Sequence, residues 1–298
     1  MLKGVCVAAA LAAAVLTPDG AHGAGAENDL LVSTDWLASH LRDPNLVLLH
    51  VGDQDEFRAT HIPGARYISL RDISATSQDG LDLQLPPASE LRRHLQALGI
   101  SDNSHVVVYY GNDWVSPSTR IVFTLYAAGL GDHVDLLDGG MGKWRREGRP
   151  VTAAAPAAPT PGALAELTLR PVVVDADFLR AHVGQPGYVV IDARARVFYD
   201  GVESSGAHGH RRNGHIPGAH SLPFTSVTND DMTFKSPAEL AALFHNAGVQ
   251  QRDHVIAYCH IGQQATAVLF AARAAGIDAV LYDGSFEDWS IRNLPVER

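Results

Sequence analysis

The chain has 298 residues, 46% of them hydrophobic and 19% charged, with a formal net charge of −10. That length suits about two globular domains, and the composition is not of the disordered kind. The negative balance argues against broad nucleic-acid binding, which needs a basic face, and no internal apolar run reaches the length of a membrane span.

The first residues, MLKGVCVAAALAAAVLTPDGAHGAGAEN, have the layout of a secretory signal peptide. Lys3 lies in a short basic start, an apolar stretch runs from Val5 to Leu16, and small residues follow around Ala21, His22, Gly23 and Ala24. A membrane anchor is the rival, but about twelve apolar residues are too few to span. Residues 1–24 are therefore expected to be removed, with cleavage falling between Gly23 and Ala26, and the mature protein to be periplasmic or secreted. Cys6 would leave with the leader. Cys259 would then be the single cysteine, so no internal disulfide can form and the leftover thiol stands out. A buried, inert cysteine is the bland alternative.

The rest of the chain contains itself twice. A strand-like NLVLLHV (45–51) precedes HIPGA at 61–65, and YVVID (188–192) precedes HIPGA at 215–219. Each copy continues with a helix (ASELRRHLQALGI, 88–100; SPAELAALFHNAGV, 236–249) and a strand (HVVVYY, 105–110; HVIAYC, 254–259). A second helix (RIVFTLYAAGL, 120–130; AVLFAARAAGI, 267–277) and a short strand (VDLLDGG, 134–140; AVLYDGS, 279–285) follow, and each copy closes on a tryptophan. A shared order of six features is a tandem duplication. Alternating strands and helices predict an α/β fold, with two tandem domains, each a mainly parallel sheet flanked by helices. The domains are expected at 30–150 and 170–298, joined by the Pro- and Ala-rich linker 151–169. In HIPGA, Pro63, Gly64, Pro217 and Gly218 read as tight-turn residues, with His61 and His215 bonding to backbone.

Cys259 ends a strand, and the tight loop CHIGQQA leads into a helix expected near Thr266. Amides of such a loop can converge on one point, and the helix N-terminus adds partial positive charge. That setting is expected to lower the thiol from about 8.5 towards neutrality. Gly262 lets the loop turn without steric cost. Aligning the copies puts Tyr110 opposite Cys259, so the first copy has no nucleophile. Its loop, GNDWVSPST (111–119), reads as two residues longer and carries Asp113, Trp114 and Pro117. The first domain is then a non-catalytic partner that walls the site, or a source of stability alone. Cysteine phosphatases close a C-x5-R loop with arginine; here Ala265 and Thr266 follow, and the next arginine is Arg273, so that reading fails.

Two copies with GHIPGA-like and DGG/DGS…W signatures resemble the tandem-domain rhodanese sulfurtransferases, over essentially all of residues 30–298. The resemblance implies a silent N-terminal domain and a C-terminal catalytic one, with Cys259 as the sulfur-carrying nucleophile. It implies that sulfane sulfur moves from thiosulfate to cyanide or a thiol through a Cys259 persulfide, with ping-pong kinetics and no metal or organic cofactor. The partners implied are a small-molecule sulfur donor and acceptor, and a monomer is expected. The loop residues His260, Ile261, Gly262, Gln263, Gln264 and Ala265 would bind the sulfur group. His260 could supply a proton or partial charge near neutral pH, or be an idle loop histidine. Asp192 would orient the loop.

Arg194 or Arg196 could meet the sulfonate, although the family often places an arginine six residues after the aspartate, where this chain has Phe198. Arg211 and Arg212 are further candidates. His208, His210 and His215 could bind metal, but the insert 201–215 reads better as a mobile polar loop at the entrance. The loop matches neither the thiosulfate nor the mercaptopyruvate pattern fully. A 3-mercaptopyruvate sulfurtransferase and a non-catalytic sulfur carrier therefore stay open.

Overall fold

The computed structural model describes residues 30–112, 115–206 and 211–298. The expected leader with Cys6 lies outside these residues, as do Asp113, Trp114, His208 and His210.

The N-terminal half runs β1 (Leu31–Val32), α1 (Thr34–His40), β2 (Leu46–Val51), α2 (Gln54–Ala59), β3 (Arg66–Tyr67), α3 (Ala88–Ala97), β4 (His105–Tyr110), α4 (Val115–Leu125), β5 (Val134–Leu137) and α5 (Gly140–Arg146). The C-terminal half repeats it. It has β6 (Val173–Val174), α6 (Ala176–His182), β7 (Tyr188–Asp192), α7 (Arg196–Tyr199), β8 (Ser204–Ser205), β9 (Arg212–Asn213) and β10 (His220–Ser221). Then come α8 (Pro237–Asn246), β11 (His254–Tyr258), α9 (Ala265–Ala274), β12 (Ala279–Tyr282) and α10 (Ser285–Ile291). The first sheet is ordered β1-β5-β4-β2-β3 and the second β6-β12-β11-β7-β10, with every pairing in both parallel. One strand order used twice is the duplication in three dimensions.

Local chemistry starts the helices. Ser33, Asp53 and Asp175 accept the first free amides of α1, α2 and α6, and Ser236 with Glu239 forms a capping box on α8. Both HIPGA turns fold alike. Gly64 and Gly218 have φ of +83° and +77°, as the third residue of a type II turn requires. Ile62 N–H donates to Tyr109 Oη and Ile216 N–H to Tyr258 Oη, each at 3.1 Å. His61 and His215 bond to the carbonyls of Phe57 and Tyr199.

The strands are apolar on both faces because both faces are covered. Leu48, Val107 and Trp144 face an outer core of the first domain, and Val190, Ile256 and Trp289 one of the second. The alternate residues Val47, Leu49, Val108, Ile191, Val255 and Ala257 face a single core shared by both domains. Helices α4 and α9, equivalent in the two repeats, pack on each other there. The contact is pseudo-symmetric. Asp138 Oδ1 accepts Phe234 N–H across the boundary at 2.9 Å, and Asp283 Oδ2 accepts Leu85 N–H at 3.1 Å.

The linker is laid along the first domain rather than hanging free. Thr152 and His61 exchange backbone bonds, Gly162 N–H reaches Gln96 O at 2.7 Å, and Arg92 grips Leu164 O. The insert before the second HIPGA differs from expectation: among the described residues, β8 and β9 pair antiparallel, so it is a short ribbon and not only a loop. The first-domain loop is not longer either. Helix α4 begins at Val115, so the surplus residues, Pro117 included, form its first turn, where proline is tolerated.

Tyr110, at the position equivalent to Cys259, donates its hydroxyl to Met232 O of the other domain at 2.6 Å. Tyr110→Phe is expected to lower the unfolding free energy by about 0.5–1.5 kcal/mol. Urea titration checks this, and an unchanged midpoint would contradict it.

Candidate active site around Cys259

Cys259 follows β11, and its side chain is fully buried. Its surroundings are built from backbone. The backbone amides of Ala265, Ile261, Gln264 and Gly262 face the sulfur and favour its anionic form. They can do so because the loop carbonyls are engaged elsewhere. Cys259 O accepts from Phe286 N–H at 3.0 Å, and His260 O from Glu287 N–H at 3.1 Å. Gln263 O accepts from the Thr266 hydroxyl at 2.6 Å. Gly262 makes the reversal with φ +83°; a Cβ there would come within 2.6 Å of Asp283 Oδ1. Helix α9 opens at Ala265, one residue before its expected start.

Burial nevertheless pushes the Cys259 thiol above its ordinary value, and the four amides pull the other way without overcoming it. The lowered thiol expected from the loop pattern is therefore corrected. Cys259 is fully buried, and desolvation there outweighs what the four amides return. Four amide donors remain a good cradle for an anionic sulfur held transiently.

His260 is likewise not a source of positive charge. Burial, and then the charge of Arg194, lowers it to about 4, so it is neutral at pH 7. Its Nδ1 bonds to the Ser205 hydroxyl, and its ring meets Phe198 edge-on at 4.6 Å. Gln263 spans the domain boundary, its amide reaching Ser116 Oγ at 3.3 Å, and Gln264 buries its Oε1 without a partner.

Asp192 and Arg194 form a fully buried pair, with Nη2 to Oδ2 at 2.5 Å and Nε to both oxygens. Asp192 also accepts the Tyr258 hydroxyl at 2.6 Å, so it braces the strand that delivers Cys259 and does not touch the loop itself. Arg194 lies over the Phe286 ring at 4.0 Å and donates to Gly214 O. Its Nε and Nη2 are thus tied into the framework, while its Nη1 is buried with no hydrogen-bond partner. Arg196 points to solvent and pairs with Asp200 at 3.2 Å, its side chain 67% exposed. Neither arginine lines the two clefts beside the loop. Arg212 turns towards Leu294 O.

Arg211 is the arginine at the entrance. A cleft of about 260 Å³ beside the loop is lined by Phe198, Ser204, Ser205, Arg211, His260 and Ile261. Arg211 is held there by Ser204, through Nε to Oγ at 3.0 Å and Nη2 to O at 2.9 Å. On the other side of Ile261 a cleft of about 490 Å³ is walled by Arg71, Ser74, Thr76 and Leu83 of the first domain. Among the described residues no cluster of three His, Cys, Asp or Glu could hold a metal, and no helix is long and apolar enough to cross a membrane.

Reading the loop alone missed Ser285. Its hydroxyl accepts Cys259 N–H at 3.1 Å and donates to Tyr282 O at 2.9 Å. Ser285 has φ +54°, and its equivalent Gly140 has φ +50°. A serine held where glycine is favoured marks backbone strain at a working site. The signal was present in DGG against DGS. In the first copy Gly140 makes room for the Tyr110 ring, which a Cβ would meet at 2.6 Å. His50, paired in register with Tyr109, replaces the Asp192 that pairs with Tyr258, so no carboxylate–arginine pair exists there.

Comparison with known proteins agrees with this architecture. The rhodanese-like domain matches twice, at residues 33–147 and 175–292. A Mycolicibacterium smegmatis protein provisionally named thiosulfate sulfurtransferase is 32% identical over 281 residues, 91% of this chain and 99% of its own. The thiosulfate sulfurtransferase of Rattus norvegicus is 30% identical over 281 residues, 90% of this chain and 94% of its own. The structure of SseA from Escherichia coli, described as a 3-mercaptopyruvate sulfotransferase, superposes with a TM-score of 0.75 at 26% identity, covering 86% of this chain and 98% of that one. Two matched domains, one strand order used twice and relatives aligned end to end lead to one conclusion: the chain belongs to the rhodanese-like family, as a tandem of two such domains.

Proposed function

We propose that the protein is a sulfurtransferase that takes the sulfane sulfur of thiosulfate onto Cys259. The observation that carries this reading is the ring of four amides around a single buried sulfur. Such a set of backbone donors suits an anionic sulfur. The Cys259 thiolate attacks the outer sulfur of thiosulfate, the S–S bond to the sulfonate breaks with its electron pair, and sulfite leaves. Cys259 then carries a persulfide anion. Cyanide or a thiolate attacks the outer sulfur of the persulfide, and the Cys259 thiolate returns. The two half-reactions share one site in turn, so ping-pong kinetics follow.

His260 stays neutral and bonded to Ser205, so it shapes the cleft wall and supplies no charge. The loop residues Ile261, Gly262, Gln264 and Ala265 contribute amides; Gln263 contributes its interdomain bond. We assign the sulfonate to Arg211, which lines the cleft beside His260 and Ile261 together with Glu287; Arg71 lines the cleft on the other side of Ile261. The likeness to SseA and the absence of an arginine at Phe198 make 3-mercaptopyruvate the competing donor.

Steady-state rates with cyanide and either donor test the reading. Thiosulfate is expected to give thiocyanate with ping-pong kinetics, and Cys259→Ser none. A higher kcat/KM with 3-mercaptopyruvate would replace the donor, and no turnover with either would leave a sulfur-binding protein. Arg211→Gln is expected to raise the KM for thiosulfate by about tenfold with kcat changed little, the loss of one charge-assisted contact. An unchanged KM would remove Arg211 from the donor site.

A further inference from the structure

We propose that Arg120, supplied by the domain without a nucleophile, is a positioning residue for Cys259, fixing the crest of the sulfur-binding loop at Gly262. The proposal rests on the sulfurtransferase reading for its purpose, but not for its geometry.

Arg120 lies on α4 and is 2% exposed. Its Nη1 donates to Gly262 O at 3.1 Å and to Asp283 Oδ1 at 2.6 Å. Its Nη2 donates to Leu83 O and reaches Asp283 Oδ2 at 3.3 Å. Gly262 is thus clasped between a carboxylate of its own domain and a guanidinium of the other. The clasp is tight: a Cβ on Gly262 would stand 2.6 Å from Asp283 Oδ1 and 3.1 Å from Arg120 Nη1.

Two comparisons separate this from ordinary interface packing. The first is within the loop. Cys259 O, His260 O and Gln263 O are held from inside the C-terminal domain, by Phe286, Glu287 and Thr266. Gly262 O is held by a side chain from the other domain. The second comparison is between the two halves of the interface. Asp138 and Asp283 occupy equivalent places, and each accepts an amide across the boundary. Yet the position equivalent to Arg120 in the second copy is Ala267. The ion pair at Asp138 is with Lys143 of its own domain, at 4.0 Å. On that side the arginine that crosses the boundary is Arg146, exposed and donating to Asp231 O at 3.2 Å, so joining the domains does not require a buried arginine. Of the two equivalent places, a buried arginine that holds a loop carbonyl stands on the side where the loop carries the thiol.

The physical consequence concerns amide convergence. Glycine at positive φ has several backbone states of similar energy. Without the clasp, the Gly262–Gln263 peptide can rotate, and the amides of Gly262 and Gln264 on either side of it lose their common target. A thiolate there would lose stabilisation and react more slowly.

Alkylation of Cys259 by iodoacetamide as a function of pH, on the full chain, reads this directly. Arg120→Met is expected to alkylate about tenfold more slowly, with the midpoint about one pH unit higher, the loss of roughly one charged-group hydrogen bond. Arg120→Lys, with a point charge in place of the fork, is expected to restore part of the rate. Asp138→Asn, which weakens the equivalent contact away from the thiol, is expected to lower stability and keep the wild-type profile. An Arg120→Met profile that is unchanged or faster overturns the proposal, as does an equal shift in Asp138→Asn. If Arg120→Met does not fold, the double variant Arg120→Met/Asp283→Asn leaves no unpaired buried charge and must show the same slowing; a wild-type profile there overturns the proposal. Alkylation uses no sulfur donor. A chain that alkylates as expected but turns over no donor counts against the functional reading and not against Arg120.

Discussion

The site depends on one constraint: every loop carbonyl that has a partner is turned outward, so the amides are left to turn inward on Cys259. A peptide's C=O and N–H point in opposite directions, so the bonds to His260 O and Gln263 O aim the amides of Ile261 and Gln264, while those to Cys259 O and Gly262 O fix the peptides between. The sheet supplies the strand end, α9 supplies the last amides, and α10 ties down the first two carbonyls through Phe286 and Glu287. The Asp192–Arg194 pair and the Tyr258 hydroxyl lie directly beneath and stiffen the strand that presents the thiol. A buried ion pair is weak evidence for stability, because desolvation offsets its attraction. Here its value is geometric.

The duplicated halves diverged at a few positions while keeping one frame. Where the second half has Cys259, the first has Tyr110, whose hydroxyl crosses the interface to Met232 O. Where the second has Ser285 beneath the sulfur loop, the first has Gly140, and the tyrosine ring takes the space. His50 replaces the carboxylate that in the second half holds Arg194. The nucleophile's place in the first domain has thus become a strut between domains. The same domain contributes Arg120, Ser116 and a cleft wall to its neighbour's site.

The repeat, the parallel sheets and the Cys259 loop were legible in the sequence because they rest on local pattern: apolar runs, HIPGA turns and a glycine where the chain reverses. Short edge elements such as β1, β6 and the β8–β9 ribbon were not, since two residues carry no periodicity. Charge states were not legible either. His260 and Cys259 shift with burial, and burial is set by residues far along the chain, such as Ser205, Phe198 and Ser285. The arginines show the same limit. Arg194 and Arg196 lie next to the aspartate in sequence, but one is buried against Asp192 with only its Nη1 left unpartnered and the other faces solvent. Arg211 reaches the cleft because the ribbon folds it back against Ser204.

The most direct test of the account is intact-mass spectrometry of the purified protein after brief exposure to thiosulfate, beside Cys259→Ala. The account predicts the gain of one sulfur atom, mapped to Cys259, absent from the variant and removed by cyanide. No gain in the wild-type chain under conditions where sulfite is also not released would contradict it, and the amide ring would then serve binding without transfer.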